Sequence, residues 1–105
     1  MLSPIPTSAV GNAEMIPEPI TAYSLTPHAA FEIKRRGLSE KTVRQVLNAP
    51  EQRYQVRAGR DTLQSRVSLD TSGKVYLVRV FVDIDRQPPE VVTAYRTSKI
   101  DKYWR

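Results

Sequence analysis

The stretch KVYLVRVFVDI, residues 74–84, decides the fold of this chain. It has the strongest strand preference of any segment, because it is rich in β-branched and aromatic residues. Side chains along a strand point alternately to its two faces. One face is predicted to lie against a helix-covered core and consists of Tyr76, Val78, Val80, Val82 and Ile84. The other face consists of Val75, Leu77, Arg79, Phe81 and Asp83.

Arg79 is the unusual residue of the second face. Its neighbours on that face, Leu77 and Phe81, are large and apolar, which is unexpected around a fully solvated cation. The pattern predicts a partly enclosed, concave face with a cation held inside it. The alternative is that Arg79 pairs with a carboxylate on a neighbouring strand, such as Asp70.

The segments around this strand predict an antiparallel sheet. Alternating residues bounded by turn residues predict further strands at 53–57, 62–69 and 90–97, joined by short connections. In the last of these, Thr93 and Tyr95 share a face and are predicted to line the same surface as Arg79. A short additional strand is predicted at 20–25.

Upstream of the sheet, the sequence predicts two short helices. Thr26 is a good N-cap and is followed by a proline, which suits the first helical position. Gly37 is the residue type that favours a left-handed helix end. Ser39 is predicted to cap a second helix, which Pro50 ends. The predicted fold is therefore α+β, with an αα-hairpin packed on a four-stranded antiparallel sheet.

The predicted domain extends over residues 21–105, since 105 residues suit one compact unit. Residues 1–20 contain several prolines without sustained periodicity, which predicts a flexible leader. At the other end, SKIDKYWR (98–105) places three apolar residues at helical spacing. These are predicted to form a terminal hydrophobic anchor: Ile100, Tyr103 and Trp104.

Composition excludes several classes of protein. The chain has no cysteine, so it has neither disulfides nor a thiolate site, and its single histidine argues against a histidine-rich metal centre. Neither a metal nor another cofactor is predicted. No apolar run approaches the roughly 20 residues that span a bilayer, so no membrane partner is expected.

Positive charge is concentrated in the middle of the chain. The net charge is +5; residues 1–33 contain no Lys or Arg, whereas residues 34–66 contain nine against three acidic residues. Such a distribution predicts a polyanionic partner. Nucleic acid is favoured over a membrane surface, because no long basic amphipathic helix is present.

Several short motifs resemble a bacterial family of domains of unknown function. The segment YSLTPHAAFEIKRRGLSEKTVRQVLNAPE (23–51) contains the shared pattern of His-Ala, then Arg-Gly-hydrophobic-Ser, then a helix ending at Pro. The later GR (59–60), LVRVFV (77–82) and VVTAYRTSKIDKYW (91–104) also resemble it. The resemblance thus extends over about residues 23–104. Family members often carry Arg where this chain has Glu32.

That family is similar in fold to RelE/ParE toxins, BrnT-like toxins and the nuclease domains of contact-dependent inhibition toxins. The resemblance therefore implies a RelE-like domain, in which a helix pair precedes the four-stranded sheet. It also implies RNA as a ligand, a cognate antitoxin or immunity protein as a partner, and the cytoplasm as the site of action.

Metal-free RNA cleavage requires a base for the 2′-OH, an acid for the departing 5′-oxygen and a cation for the phosphorane. His28, near a helix N-terminus that attracts phosphate, is predicted to be the base. Arg79 is predicted to be the cation, with Thr93 and Tyr95 as hydroxyl donors and Tyr95 as the acid. The products would be a 2′,3′-cyclic phosphate and a 5′-OH. The residues predicted to contact nucleic acid are Arg57, Arg60, Lys99 and Lys102.

Two other classes of function fit the same residues. One is a toxin-like domain that blocks a protein target without hydrolysis. The other is a catalytically silent domain that only binds nucleic acid. In both, His28 would be an ordinary helix-start or surface residue.

Overall fold

The computed structural model describes residues 17–105. Its elements follow the predicted order, with two helices ahead of the main strands and a short helix at the end. They are β1 (Ser24–Leu25), α1 (Pro27–Arg35), α2 (Glu40–Asn48), β2 (Gln52–Arg57), β3 (Arg60–Ser68), β4 (Val75–Asp83), β5 (Glu90–Thr97) and α3 (Ile100–Tyr103).

The sheet has five strands in the order β1-β5-β4-β3-β2. Strands β2 to β5 form the antiparallel series that the sequence predicts. The short additional strand predicted at 20–25 joins them as β1, a fifth strand that is parallel to β5 and makes the sheet mixed. This strand is shorter than predicted and is attached where the Ser24 amide donates to the Pro89 carbonyl at 2.8 Å.

The helix boundaries follow the predicted caps. The Thr26 hydroxyl accepts a hydrogen bond from the Ala29 amide at 3.0 Å, and the Ser39 hydroxyl accepts one from the Thr42 amide at 3.1 Å. Between the helices, Gly37 has a φ of 77°, which a side chain would strain. These local interactions determine where each helix begins and where the chain turns between them.

The helix pair covers the face of β4 that carries Val78, Val80 and Val82, as predicted. The helices contribute four fully or almost fully buried side chains to this core: Ile33, Val43, Val46 and Leu47. Tyr76 and Ile84, predicted to share the core, are half-buried and exposed respectively, because they lie toward the ends of the strand.

The start of the described chain also contributes to this core. Ile20 is 6% exposed, and its amide donates to the Leu47 carbonyl at 2.8 Å. The boundary predicted at residue 20 therefore falls inside a tightly packed region. Residues 1–16 of the predicted leader lie outside the described residues. No helix in residues 17–105 has the length and apolar character needed to cross a membrane.

Replacing Leu47 by alanine should lower the free energy of unfolding by about 2–5 kcal/mol, because it leaves a cavity between the helices and the sheet. Urea denaturation followed by circular dichroism would measure this change. Val75→Ala is the control: Val75 is 43% exposed, so its loss should change stability by only about 0.5 kcal/mol. Equal effects of the two substitutions would contradict the assignment of the core.

Candidate functional site

The sheet face opposite the helix pair holds Arg79. In the strand register, Gln64 of β3, Arg79 of β4 and Tyr95 of β5 lie side by side. Arg79 is only 6% exposed, although it does not belong to the helix-covered core. The sequence prediction of an enclosed cation on this face is therefore confirmed.

The Arg79 guanidinium donates hydrogen bonds to neutral groups. Its Nε donates to Gln64 Oε1 at 2.8 Å, Nη1 to the Tyr95 hydroxyl at 2.7 Å, and Nη2 to the Tyr54 hydroxyl at 2.7 Å. Within residues 17–105, no carboxylate forms an ion pair with Arg79. The alternative that it pairs with Asp70 is wrong, because Asp70 lies in the β3–β4 turn and accepts from the Ser72 amide.

Aromatic rings surround the guanidinium where a carboxylate would be expected. Its Cζ lies 4.3 Å from the Tyr103 ring centroid and 5.1 Å from that of Phe81. Phe81 and Tyr95 stack with centroids 5.9 Å apart, and the Tyr103 ring meets Tyr95 edge-on at 6.3 Å. Ring faces attract cations but carry no net charge. The positive charge of Arg79 is thus stabilised without being neutralised.

The two phenols beside Arg79 differ in acidity. Burial raises the pKa of Tyr95 above its ordinary value, although the neighbouring Arg79 opposes this effect. The pKa of Tyr103 is lowered, first by its interaction with the Tyr95 hydroxyl and then by the nearby Lys102. Of the two phenols, Tyr95 therefore keeps its proton to the higher pH.

The last residues of the chain cover this face. We call Ile100–Arg105 the terminal segment. Its Trp104 ring lies 4.2 Å from the Arg66 Cζ, and the Arg105 Cζ lies 4.0 Å from the Tyr54 ring centroid. The segment is helical over Ile100–Tyr103, as predicted, but none of these residues is buried, and the rings of Tyr103 and Trp104 contact cations of the sheet.

Thr93 lies on the Arg79 face but is engaged elsewhere. It pairs with Phe81 in the register, and its hydroxyl accepts a hydrogen bond from Arg36 Nη1 at 2.8 Å. The same Nη1 donates to the Ala94 carbonyl at 3.2 Å, while Arg36 Nη2 lies 3.3 Å from a Glu32 carboxylate oxygen. Thr93 therefore links the end of α1 to β5.

His28 lies in the helical layer, as the second residue of α1. Its side chain is exposed, and no hydrogen bond or ion pair among the described residues joins it to Arg79 or Tyr95. The helix pair and Arg79 occupy opposite faces of the sheet. The base role of His28 therefore stays a prediction, and the structure does not bring this residue into the cluster around Arg79.

The predicted nucleic-acid contacts lie at both ends of the Arg79 face. Arg60 is bound to Asp83 through Nε and Oδ1 at 2.6 Å, so its charge is compensated, and the exposed Arg57 lies next to it in the register. Lys99 and Lys102 are exposed at the other end, where Lys99 precedes the terminal segment and Lys102 belongs to it. The four residues are divided between the two ends of the Arg79 face and do not form one patch.

A separate groove opens in the helical layer. Its volume is about 430 Å³, and the Phe31 side chain at its border is 63% exposed. The groove is mainly apolar and is lined by Ala30, Phe31, Ile33, Lys34, Leu38, Ser39 and Glu40.

Nowhere in residues 17–105 do three His, Cys, Asp or Glu side chains group as metal ligands would.

Comparison with protein-family models shows where this chain belongs. Residues 25–96 match a model described as Domain of unknown function (DUF4258). The chain is a member of the DUF4258 family. No curated protein and no solved structure matches it. The resemblance to an uncharacterised family that the sequence motifs indicated is confirmed.

The DUF4258 match contains Arg79 and its three hydrogen-bond partners and ends just before the terminal segment. Sequence reasoning found Arg79 and Tyr95 but did not include Tyr54, Gln64 or Tyr103 in the site. The alternation of β2 already placed Tyr54 on one face of its strand. Only the register of β2 on β3 reveals that this face is the one that holds Arg79.

The Arg60–Asp83 pair predicts how acid affects this DUF4258 domain. The hydrogen bond from Arg60 holds the pKa of Asp83 below its ordinary value of 3.8. The pair therefore stabilises the folded state fully above that pH and loses its effect as the pH falls through the lower, folded-state pKa. Asp83→Asn should cost about 1 kcal/mol at neutral pH.

Urea denaturation at a series of pH values would measure the difference between Asp83→Asn and the wild type, which should shrink steadily at acid pH. Asp101→Asn is the matched control, because Asp101 is exposed and has no ion pair among the described residues. A difference that persists undiminished in acid would contradict the prediction.

Proposed function

We propose that this DUF4258 domain is a toxin-type, metal-independent ribonuclease. It would cleave RNA by attack of the 2′-OH, leaving a 2′,3′-cyclic phosphate, and a cognate antitoxin or immunity protein would neutralise it in the cytoplasm. The observation that carries this proposal is Arg79, a buried cation bonded to phenols and, within residues 17–105, to no carboxylate. The resemblance of the motifs to RelE-like toxins supports the same function.

The charge of Arg79 suits a phosphate that gains negative charge during the reaction. A guanidinium offers parallel N–H donors that match phosphate oxygens. Electrostatic attraction is stronger in a site from which water is excluded than in solution. No carboxylate of residues 17–105 pairs with Arg79, so its positive charge is not compensated by a counter-charge in that part of the chain. A structural arginine would be expected to have an acidic partner.

Tyr95 suits the role of the acid. Its hydroxyl lies 2.7 Å from Arg79 Nη1, so a phosphate bound to Arg79 would lie close to it. A phenol is protonated at neutral pH, as a proton donor must be, and the raised pKa of Tyr95 extends its protonated range to more alkaline pH. The proposal therefore assigns protonation of the departing 5′-oxygen to Tyr95.

The base is the part of the proposal that rests on sequence alone. His28 stays the predicted base, but it lies in the helical layer on the other side of the sheet, so it is not beside a phosphate bound at Arg79. Its exposed side chain also means that alanine at this position should change the free energy of unfolding by only about 0.5 kcal/mol. Any loss of cleavage in His28→Ala would then report on chemistry and not on folding.

The groove beside Phe31 supports the proposed protein partner. A single exposed ring is ordinary, but Phe31 borders a mainly apolar groove, and such grooves are typical of surfaces that bind a partner. The groove is on the helical layer, whereas Arg79 is on the other sheet face. An inhibitor seated there would therefore act without touching the guanidinium.

Purified protein should cleave total bacterial RNA in the presence of EDTA and leave cyclic-phosphate ends. Arg79→Gln should slow this reaction by about 100-fold or more, because it removes the cation that faces the phosphorane. Arg44→Gln is the matched control: it removes the same charge from an exposed position on α2 and should retain wild-type activity. Gel analysis of the RNA and end-group labelling would measure both.

Equal rates for Arg79→Gln and Arg44→Gln would remove Arg79 from the mechanism. Cleavage only after addition of a divalent metal would contradict the metal-independent chemistry. Circular dichroism of each variant must first show wild-type secondary structure.

The pH dependence of cleavage tests Tyr95. The wild-type rate should hold up to about pH 9, because a phenol with a raised pKa keeps its proton there. Tyr95→Phe should reduce the rate by about 100-fold over that range. A model substrate with one ribonucleotide in a DNA strand keeps the alkaline background low. A decline that starts near pH 6.5 would instead indicate an imidazole acid.

The second candidate is a domain that binds RNA and does not cleave it. It is favoured by one observation: neither an imidazole nor a carboxylate contacts Arg79 among the described residues. In that case RNA binding would weaken steeply with salt, and no product would form under any condition.

A further inference from the structure

We infer that the terminal segment occupies a binding surface for single-stranded RNA, and that RNA bases displace its two rings from Arg66 and Arg79. This inference rests on the proposed RNA-directed function and specifies its substrate class and its regulation. It concerns the face of the sheet formed by β2, β3 and β4.

The contacts of the terminal segment have the chemistry of nucleotide recognition. The Tyr103 ring lies on the Arg79 guanidinium at 4.3 Å, and the Trp104 ring lies on that of Arg66 at 4.2 Å. Unpaired bases of RNA stack on guanidinium planes and aromatic side chains in the same manner. The sheet therefore offers two neighbouring cationic platforms, each filled by a ring.

Two side-chain amides of the sheet hold the backbone of the segment. Gln64 Nε2 donates to the Tyr103 carbonyl at 3.1 Å, and Gln52 Nε2 donates to the Arg105 carbonyl at 2.6 Å. Gln52 Oε1 also accepts from the Arg105 amide at 3.1 Å. An amide that donates and accepts at one time is also the group that reads the edge of a base.

Arg105 also makes a contact between a guanidinium and an aromatic ring, in this case the Tyr54 ring of the sheet. Its guanidinium lies on the Tyr54 ring at 4.0 Å, and that ring also bounds the Arg79 site. Beside Tyr54 in the register, the buried Thr62 hydroxyl has no hydrogen-bond partner among the described residues. The sheet face beneath the terminal segment thus has a hydroxyl whose hydrogen-bonding capacity is not used within the described residues.

The terminal segment is held without a buried residue of its own, which suits a displaceable cover. Its helix α3 has four residues, no side-chain cap and no buried residue. No ion pair joins it to the described sheet. Its own cations, Lys102 and Arg105, would remain close to the phosphates of an RNA strand after the rings had left.

Trp104 is the only tryptophan of the chain, so its fluorescence reports the position of the cover. We would titrate the full-length protein with an unlabelled 2′-O-methyl oligouridylate, which binds without being cleaved because it lacks the 2′-OH. Trp104 emission should shift to the red and become more accessible to acrylamide as the oligonucleotide binds.

The matched affinity experiment uses the double variant Tyr103→Ala/Trp104→Ala, which removes both rings and leaves the net charge unchanged. Fluorescence anisotropy with a labelled form of the same oligonucleotide should show roughly tenfold tighter binding, a change that corresponds to about 1.4 kcal/mol. Phe31→Ala is the control, because it removes an exposed ring from the helical layer and should leave the affinity unchanged.

The outcomes separate this inference from the proposed function. Binding by the wild type without a change in Trp104 emission, or equal or weaker binding by the double variant, would overturn displacement and leave RNA as the ligand. Binding by neither protein would overturn both proposals. Binding by the double variant alone, or tighter binding with the red shift, would support the inference. The Trp104 titration needs no variant, so it decides the question even if the double variant is poorly folded.

Discussion

The sheet face opposite the helix pair depends on the hydrogen bonds and ring contacts of the Arg79 guanidinium. Through one side chain it joins β2 at Tyr54, β3 at Gln64, β5 at Tyr95 and the terminal segment at Tyr103. Burying a cation is expensive unless hydrogen bonds compensate it. Hydroxyls, an amide and ring faces do so here, and the strands that carry them must keep their register for the charge to remain stabilised.

The alternation of β4 made much of this architecture predictable. It assigned Val78, Val80 and Val82 to the helix-covered core and Arg79 to the opposite face, because side-chain direction in a strand follows from the backbone alone. Thr26 and Ser39 marked the helix starts equally well, since a capping hydroxyl acts on amides within the next turn. Such local rules need no knowledge of which strands are neighbours.

The pairing of strands that are distant in the chain could not be predicted from the sequence, because it does not follow from local rules. Two residues, Ser24 and Leu25, form β1, and nothing in them indicates a parallel partner more than sixty positions away. The same limit applies to the site. Arg79 and Tyr95 could be placed on one face, but the contacts of Thr93 with Arg36 and of Arg79 with Tyr54 depend on side-chain reach between elements distant in the chain. For His28, the helix-start pattern gave a position in α1 and no information on which sheet face that helix covers.

The Arg36 side chain affects whether strand β5 can pair with a strand of another copy of this protein. Strand β1 pairs only with Glu90 and Val91, so within residues 17–105 the rest of β5 has no strand on its outer side. Unpaired strand edges recruit strands from other molecules. Arg36 lies across this edge and binds the Ala94 carbonyl, so an approaching strand would have to displace and desolvate a cation. The residue that fastens α1 to the sheet thereby disfavours intermolecular β-pairing and protects the protein from aggregation at high local concentration.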